Sequence, residues 1–494
     1  MAAPETTRDP LRKRLDMDAP SNALQELADD PNSRTFPDGT ASICATAIIG
    51  AGFSGTMAAI HLRRRLPPAQ DIHLIERTGA FARGIAYADT GAAHLLNVRA
   101  ANMSAFADDP QHFERWLDAN AAECAGEIHR TPAGIFATRR LYGSYLQATL
   151  HAEIAASGGT VRLLADEVQT LTQASGSWRL NCRSGKQITA SSVVLASGNL
   201  PAERPHDGIE FRDPWTPDAL AGLRPDAPVL IVGTGLTMVD ITLALRAQGF
   251  SGPIITLSRR GLVPHRHAAS GAAWPTPEFS VLERGSAPAL LHAIRAQIRE
   301  AAARDIGWRA VIDSLRPITA SLWCGLPQPE RARFLRHLRP YWDIHRHRMA
   351  PPAAEQFQNL RSTGALHVAR GRLLDVSHGD GLASVTYNNR DTGTPETIVV
   401  QRVIYATGLQ GARADTGLVA ALLANGHARL DRQELGLEVT PTLNLVDASG
   451  QPVPHLWALG PIVRGVFWEC LAVPDIRIQA DQLGREIADA LATA

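Results

Sequence analysis

The sequence predicts an α/β protein in which two parallel-sheet units flank a helical insertion. Three observations carry this. Ala47-Ile48-Ile49 runs into Gly50-Ala51-Gly52-Phe53-Ser54-Gly55, a short apolar strand that breaks at glycines and continues as a possible helix. Val229-Leu230-Ile231-Val232 runs into Gly233-Thr234-Gly235-Leu236-Thr237-Met238 in the same way. Between about 275 and 350 the strand–helix alternation gives way to helical apolar spacing at Leu290–Ala303 and Glu330–Leu338.

In the first unit, residues 45–49 read as a strand buried on both faces. Gly50 permits the tight turn, Gly52 lets the backbone approach a pyrophosphate, and Gly55 lets the next helix pack closely on the strand. A helix over roughly Gly55–Arg65 would point its N-terminal amides, with Phe53 and Ser54 at its entrance, at the phosphates. A second strand, Ile72–Ile75, ends at Glu76-Arg77, about 20 residues beyond the last glycine, where an acid accepts ribose hydroxyls. Strand, glycines, helix, strand and acid in register define a Rossmann-like dinucleotide site. The acid suits FAD or NAD and disfavours NADP, whose extra phosphate it repels.

The second unit repeats the pattern with two differences. Met238 stands where the third glycine would be, so the helix must pack more loosely or be displaced. The next strand, Ile254–Leu257, ends in Ser258-Arg259-Arg260 rather than an acid. Arginines suit a 2′-phosphate, which favours NADPH over NADH; two solvated arginines at a strand end are the plain alternative. Two such sites on one chain point to one dinucleotide held as a redox group and another delivering hydride: a flavoprotein fed by a nicotinamide.

Composition narrows the class. The 494 residues are 45% hydrophobic, enough for two or three domains. Lys+Arg and Asp+Glu balance at 49 each with pI near 7.3, which offers nothing to nucleic acid or an anionic membrane. The uncharged stretch Ile43–Ile60 approaches the length of a membrane span, but its three glycines belong to the fingerprint. Cys44, Cys124, Cys182, Cys324 and Cys470 are widely spaced. That suggests neither disulfides nor zinc, argues against a dithiol reductase, and fits a reduced, cytoplasmic protein.

With both sites placed, the chain resembles the two-dinucleotide flavoproteins and, more narrowly, the bacterial FAD/NAD(P)-binding proteins. The resemblance rests on Arg83-Gly84-Ile85-Ala86-Tyr87, His94-Leu95-Leu96-Asn97-Val98, Met103-Ser104-Ala105-Phe106 and Arg139-Arg140-Leu141-Tyr142. It implies that Asn97, Met103 and Ser104 lie on flavin-contacting loops. The order of these blocks is similar to that of flavin-dependent N-hydroxylating monooxygenases. Two small-residue strand ends, Ala196-Ser197-Gly198 and Ala406-Thr407-Gly408, resemble the turns that pass such chains between domains. Trp457-Ala458-Leu459-Gly460-Pro461 resembles the glycine beside the flavin's ribityl chain, with Ala472–Ala480 as a closing helix.

The expected organisation is a disordered tail at 1–40, an FAD unit at 41–225 and 366–494, and an NADPH unit with the insertion at 226–365. Pro201–Pro217 and Pro225–Pro228 mark the crossing. The basic run Arg333–Arg348 reads first as a solvated helix face. A metal site using His265 or His267 is disfavoured by spacing, and no metal is expected. His94 is a weak catalytic candidate as a proton carrier beside the flavin, equally readable as structural. Cys470 reads as packing and Asp240 as structural. The function implied is NADPH-driven reduction of FAD and transfer of oxygen from O2 to a small-molecule nucleophile, such as an amine, through a flavin C4a-hydroperoxide. A reductase without oxygen insertion is the alternative.

Overall fold

The computed structural model describes residues 42–88, 93–157, 161–174, 176–199, 211–212, 214, 219–269, 271–408 and 417–493. The tail expected at 1–40 and most of the Pro201–Pro217 joint lie outside these.

The first sheet has eight strands among the described residues. Its parallel centre runs Pro452–Ala458, Gln187–Leu195, Ser42–Ile49, Ile72–Glu76, Val161–Ala165. Val168–Ala174 and Ser177–Cys182 form an antiparallel excursion that returns into Gln187–Leu195. Ser42–Ile49 pairs on both sides, which is why Ala47 and Ile48 are fully buried. The helix Phe53–Arg63 starts two residues earlier than expected and is buried along its whole length. It is covered by the C-terminal helix Val473–Ala492, where a Cβ on Gly484 would already stand 3.2 Å from His61. Asp481 of that helix meets Arg65 and, at 3.4 Å, His61. Residues from 44 to 195 and from 419 to 487 therefore share one core.

Among the described residues the second sheet has seven strands: Pro395–Val400, Leu382–Asn389, Leu366–Gly379, Ile254–Ser258, Val229–Val232, Arg402–Tyr405, Phe211–Arg212. Its centre is parallel, and the first two strands named add antiparallel to its edge. This corrects the expected boundary at 365/366. Leu366–Tyr405 belongs to the second sheet, because Leu366–Arg370 pairs in register with Ile254–Ser258 and Arg402–Tyr405 pairs with Val229–Val232. Phe211–Arg212 pairs there too, so the chain has crossed before Asp226.

The insertion is helical: Val281–Arg284, Ala287–Ala302, Trp308–Ser314, Thr319–Gly325, Gln328–Arg333 and Arg339–Arg346, with a π-turn at Phe334–Leu338. Its own small core includes Phe279, Leu290, Ile312, Leu315, Leu322 and Leu326. It docks on the C-terminal segment of the first unit through Trp323, whose Nε1 donates to Gly465 O at 2.9 Å and whose ring lies 4.9 Å from Trp468. No helix among the described residues is long and apolar enough to cross a membrane.

Buried histidines give the fold a pH signature. Burial, the largest cause in each, pulls His61, His73 and His267 from 6.5 to about 4. The unfolded chain takes up these protons near pH 6.5 while the folded one refuses them until about 4, so stability falls as pH drops through that window. Asp475, raised by burial from 3.8 to about 6, acts oppositely, since the folded state keeps a proton that the unfolded state has released. Burial also lowers His94, His112, His265 and His347 and raises Asp343 and Asp431, so seven groups against three predict a melting temperature that falls on acidification. Calorimetry showing a flat or rising profile would contradict it.

Candidate functional site

The two glycine turns have the same geometry. Gly50 has φ +96° and Gly233 has φ +115°. Gly50 N donates to Ile75 O and Gly233 N to Leu257 O, each at 2.8 Å across to the neighbouring strand. Ala196 N donates to Ile49 O and Ala406 N to Val232 O, again at 2.8 Å. A Cβ on Gly50 would meet Ala196 O at 2.5 Å, and one on Gly233 would meet Ala406 O at 2.2 Å. The small-residue strand ends thus form the second wall of each turn, with Gly198 at φ +78° and Gly408 at φ +72° leading the chain away. Small residues are required there because the glycine backbone lies against them.

At the first turn, a Cβ on Gly55 would stand 1.8 Å from Gly50 O, which is the close helix–strand approach the third glycine allows. Neither Gly52 nor Gly235 caps its helix with a side chain, so each helix keeps a start suited to an anion. Glu76 Oε2 accepts from Ala51 N at 3.0 Å, which holds the carboxylate at the strand end beside the turn. Gly460, with φ +82°, comes against Ser54; a Cβ there would lie 2.2 Å from Ser54 Oγ. The loop after Arg77 folds back, with Ala82 N donating to Ala51 O at 2.7 Å and Gly84 packed on Gly52. Gly50, Gly52, Phe53, Ser54, Gly55, Glu76, Ser197, Gly198 and Gly460 therefore converge at one end of the first sheet. Uncapped amides, glycines whose Cβ space is taken by backbone and a strand-end acid fit FAD.

The second turn gathers Gly233, Gly235, Thr237, Arg259, Arg260, Thr407 and Gly408. Met238, in the third-glycine position, is fully buried in the second core, so its side chain fills the space between helix and sheet. Thr234 Oγ1 is 2.9 Å from Ser258 Oγ and donates to Leu262 O at 2.5 Å, fixing the arginine loop to the turn. Sequence reasoning missed two more arginines here. Arg370 sits in register with Ser258 on the adjacent strand and packs against Gly261, and Arg390 Nη1 lies 3.4 Å from Arg259 O. Asp391 pairs with Arg370 at 2.8 Å. Parallel pairing over about a hundred residues, not a local motif, brings Arg370 there. Such a cluster suits a 2′-phosphate. The double substitution Arg259→Ala with Arg370→Ala is expected to weaken NADP+ at least tenfold and leave NAD+ within about twofold. Equal losses for both in a binding titration would refute the assignment.

Other expected site residues lie elsewhere. Met103 is buried in the main core, and Ser104 Oγ closes its own turn, lying 2.6 Å from Asp109 O and accepting from Phe106 N at 3.1 Å. Met103 packs in that core and the Ser104 hydroxyl is held within its own loop. Arg77 is exposed beyond Glu76. Asn97 O accepts from His267 Nε2 at 2.9 Å, a contact between the two units. His94 stands beside Asp240, on the helix of the second turn, and Arg139, which pair with each other at 2.8 Å. Burial lowers its pKa, with Asp240 opposing. The basic run is exposed at Arg333, Arg336 and His337, as expected. Arg346 and Arg348 instead turn inward, to Glu469 at 3.4 Å and to Asp313 at 2.6 Å. Among the described residues no group of three or more His, Cys, Asp or Glu could hold a metal ion.

Comparison with known proteins agrees with this geometry. Residues 47–200 match the family model described as FAD-NAD(P)-binding, a span that contains the first turn, Glu76 and the Ala196–Gly198 wall. None of the curated proteins matches the sequence. Among solved structures, the ornithine hydroxylase of Pseudomonas aeruginosa is similar at 13% identity over 91% of this chain and 100% of that chain, with TM-score 0.61. The ornithine N-hydroxylase of Kutzneria sp. 744, solved with reduced FAD, NADP+ and L-ornithine, is similar at 14% identity over 90% and 99%, with TM-score 0.56. The bacillithiol disulfide reductase of Staphylococcus aureus is similar at 12% identity over 90% and 98%, with TM-score 0.51. Residues 47–200 thus match an FAD-NAD(P)-binding domain, and the chain shares the overall fold of these solved structures.

Proposed function

We propose that this protein is an FAD-dependent, NADPH-using monooxygenase acting on a small molecule, with N-hydroxylation of an amine as the preferred reaction. The observation that carries the reading is the duplicated turn: two uncapped helix starts, one with an acid at the following strand end and the other with arginines. The first suits a dinucleotide with a free ribose, the second one with a 2′-phosphate.

Bound FAD would supply hydride acceptance from NADPH and, once reduced, activation of O2. The chain's part is to bind, orient and exclude water. The Gly50–Gly55 turn and Glu76 would hold the flavin dinucleotide, and the Gly233–Gly235 turn with Arg259, Arg260 and Arg370 would hold the coenzyme. Where the insertion meets the first unit, Trp323, Phe334 and Trp468 pack ring against ring, with Phe334 and Trp468 centroids 5.4 Å apart.

Similarity to a disulfide reductase favours a second reading, a reductase without oxygen insertion. The cysteines weigh against thiol chemistry. Cys470, the cysteine in contact with Gly460, donates its thiol to Gly460 O at 3.2 Å, and burial pushes its pKa up, away from the thiolate that exchange requires. The test follows NADPH oxidation by FAD-loaded protein in air, measuring peroxide and hydroxylated product with L-ornithine, L-lysine and simple diamines. Product formed at the expense of peroxide supports the monooxygenase. Peroxide equal to NADPH consumed with every amine would overturn N-hydroxylation and favour the reductase.

A further inference from the structure

The helix Arg339–Arg346 belongs to the insertion, yet its side chains reach three parts of the molecule. Tyr341 is 48% exposed, and the Arg260 guanidinium lies over its ring at 5.7 Å. Arg339 extends towards the end of the second sheet, where its Nη2 lies 3.9 Å from the place a Cβ on Gly408 would occupy. Gly408 is two residues beyond Ala406, the wall of the Gly233 turn. The face opposite Tyr341, which also carries Arg339, is fixed to the first unit: Trp342 Nε1 donates to Glu469 Oε1 at 2.9 Å, and Arg346 meets Glu469 at 3.4 Å. Trp342 and Arg346 are four residues apart and so share that face. Arg339 keeps a partial partner in Asp343 at 3.3 Å and lies 5.9 Å over Trp468.

One short helix therefore presents an exposed aromatic ring beside the arginine loop of the second turn and a guanidinium beside its strand-end wall. In an open parallel sheet the strand ends cover only one side of a dinucleotide. We propose that this helix forms the outer wall of the second site, with Tyr341 covering the adenine beside Arg260 and Arg339 binding the pyrophosphate. A ring and an arginine on opposite faces of a base both gain from its π-system, and a guanidinium pairs with phosphate through directed hydrogen bonds. Because the helix is clamped to Glu469, the wall stands in place before the coenzyme arrives. The inference rests on the reading of the second turn as an NADPH site.

The experiment is calorimetric titration of FAD-loaded protein with NADP+ and with 2′-AMP, which has the base and 2′-phosphate but no pyrophosphate. Flavin content and melting temperature serve as folding controls. Tyr341→Ala is expected to weaken both ligands roughly tenfold or more, as loss of a base-stacking ring does, and Tyr341→Phe to restore them. Arg339→Ala is expected to weaken NADP+ about tenfold or more and leave 2′-AMP within about twofold. If wild type binds NADP+ and both alanine variants bind it equally well, the outer wall is refuted while the NADPH reading stands. Equal loss of 2′-AMP in Arg339→Ala would refute its assignment to the pyrophosphate. If wild type binds neither ligand, the NADPH reading fails and the wall with it.

Discussion

Replacing Gly55 with alanine is expected to abolish FAD retention and to destabilise the fold by about 3 kcal/mol or more, the upper part of the range for overpacking. The added methyl would stand 1.8 Å from Gly50 O and 3.0 Å from Gly50 C. Both are backbone atoms of the turn, so no side chain can swing away. Relief would require the helix Phe53–Arg63 to move off the strand. That helix is buried throughout and clamped from outside by Val473–Ala492, with Gly484 against His61. The strain therefore stays at the turn and displaces the amides that would face the pyrophosphate. Purification with excess FAD, followed by absorbance and thermal melting, checks both parts. A stably folded Gly55→Ala protein that retains a full complement of FAD would show that the turn is not the flavin site.

The second large effect is expected at the other turn. Gly233→Ala would place a methyl 2.2 Å from Ala406 O at φ +115°, a conformation that side chains avoid. FAD should remain bound, because the first turn has its own core, while NADP+ affinity should fall by about a hundredfold or more. Gly235→Ala is the telling comparison. A Cβ there meets nothing within 4 Å, so the variant should fold with unchanged stability. It should nevertheless lose NADP+, because the new methyl occupies the space that the pyrophosphate needs. Titration of both variants with NADP+, with flavin content as control, separates backbone damage from ligand exclusion. Unchanged NADP+ binding in Gly235→Ala would place the coenzyme elsewhere.

The legible parts of this chain were those written in local order. Each glycine turn is a run of a dozen residues whose conformational needs are carried by the residues themselves, and the structure puts Gly50 and Gly233 in equivalent positions. The strand ends Ala196–Gly198 and Ala406–Gly408 were recognisable as related segments. That each forms the wall of its own turn emerged only from strand pairing. Long-range register was the unreadable part. Nothing local in Leu366–Gly379 says that it pairs with Ile254–Ser258, so neither the extent of the second unit nor the place of Arg370 is legible in the sequence. The same holds for Arg346, which a charge-run reading left in solvent. Its partner Glu469 lies more than a hundred residues on, and only the docking of the insertion brings them together. The bonds that hold the Ser104 hydroxyl within its own loop are likewise set by the local backbone path, which the motif does not show.

Anaerobic rapid mixing of FAD-loaded protein with NADPH and, separately, with NADH, following flavin absorbance, tests directly whether the chain holds FAD at the first dinucleotide site and NADPH at the second. NADPH should bleach the flavin, with NADH slower by about tenfold or more at equal, sub-saturating concentration, in line with loss of the arginine contacts to a 2′-phosphate. A flavin that neither coenzyme reduces would contradict it.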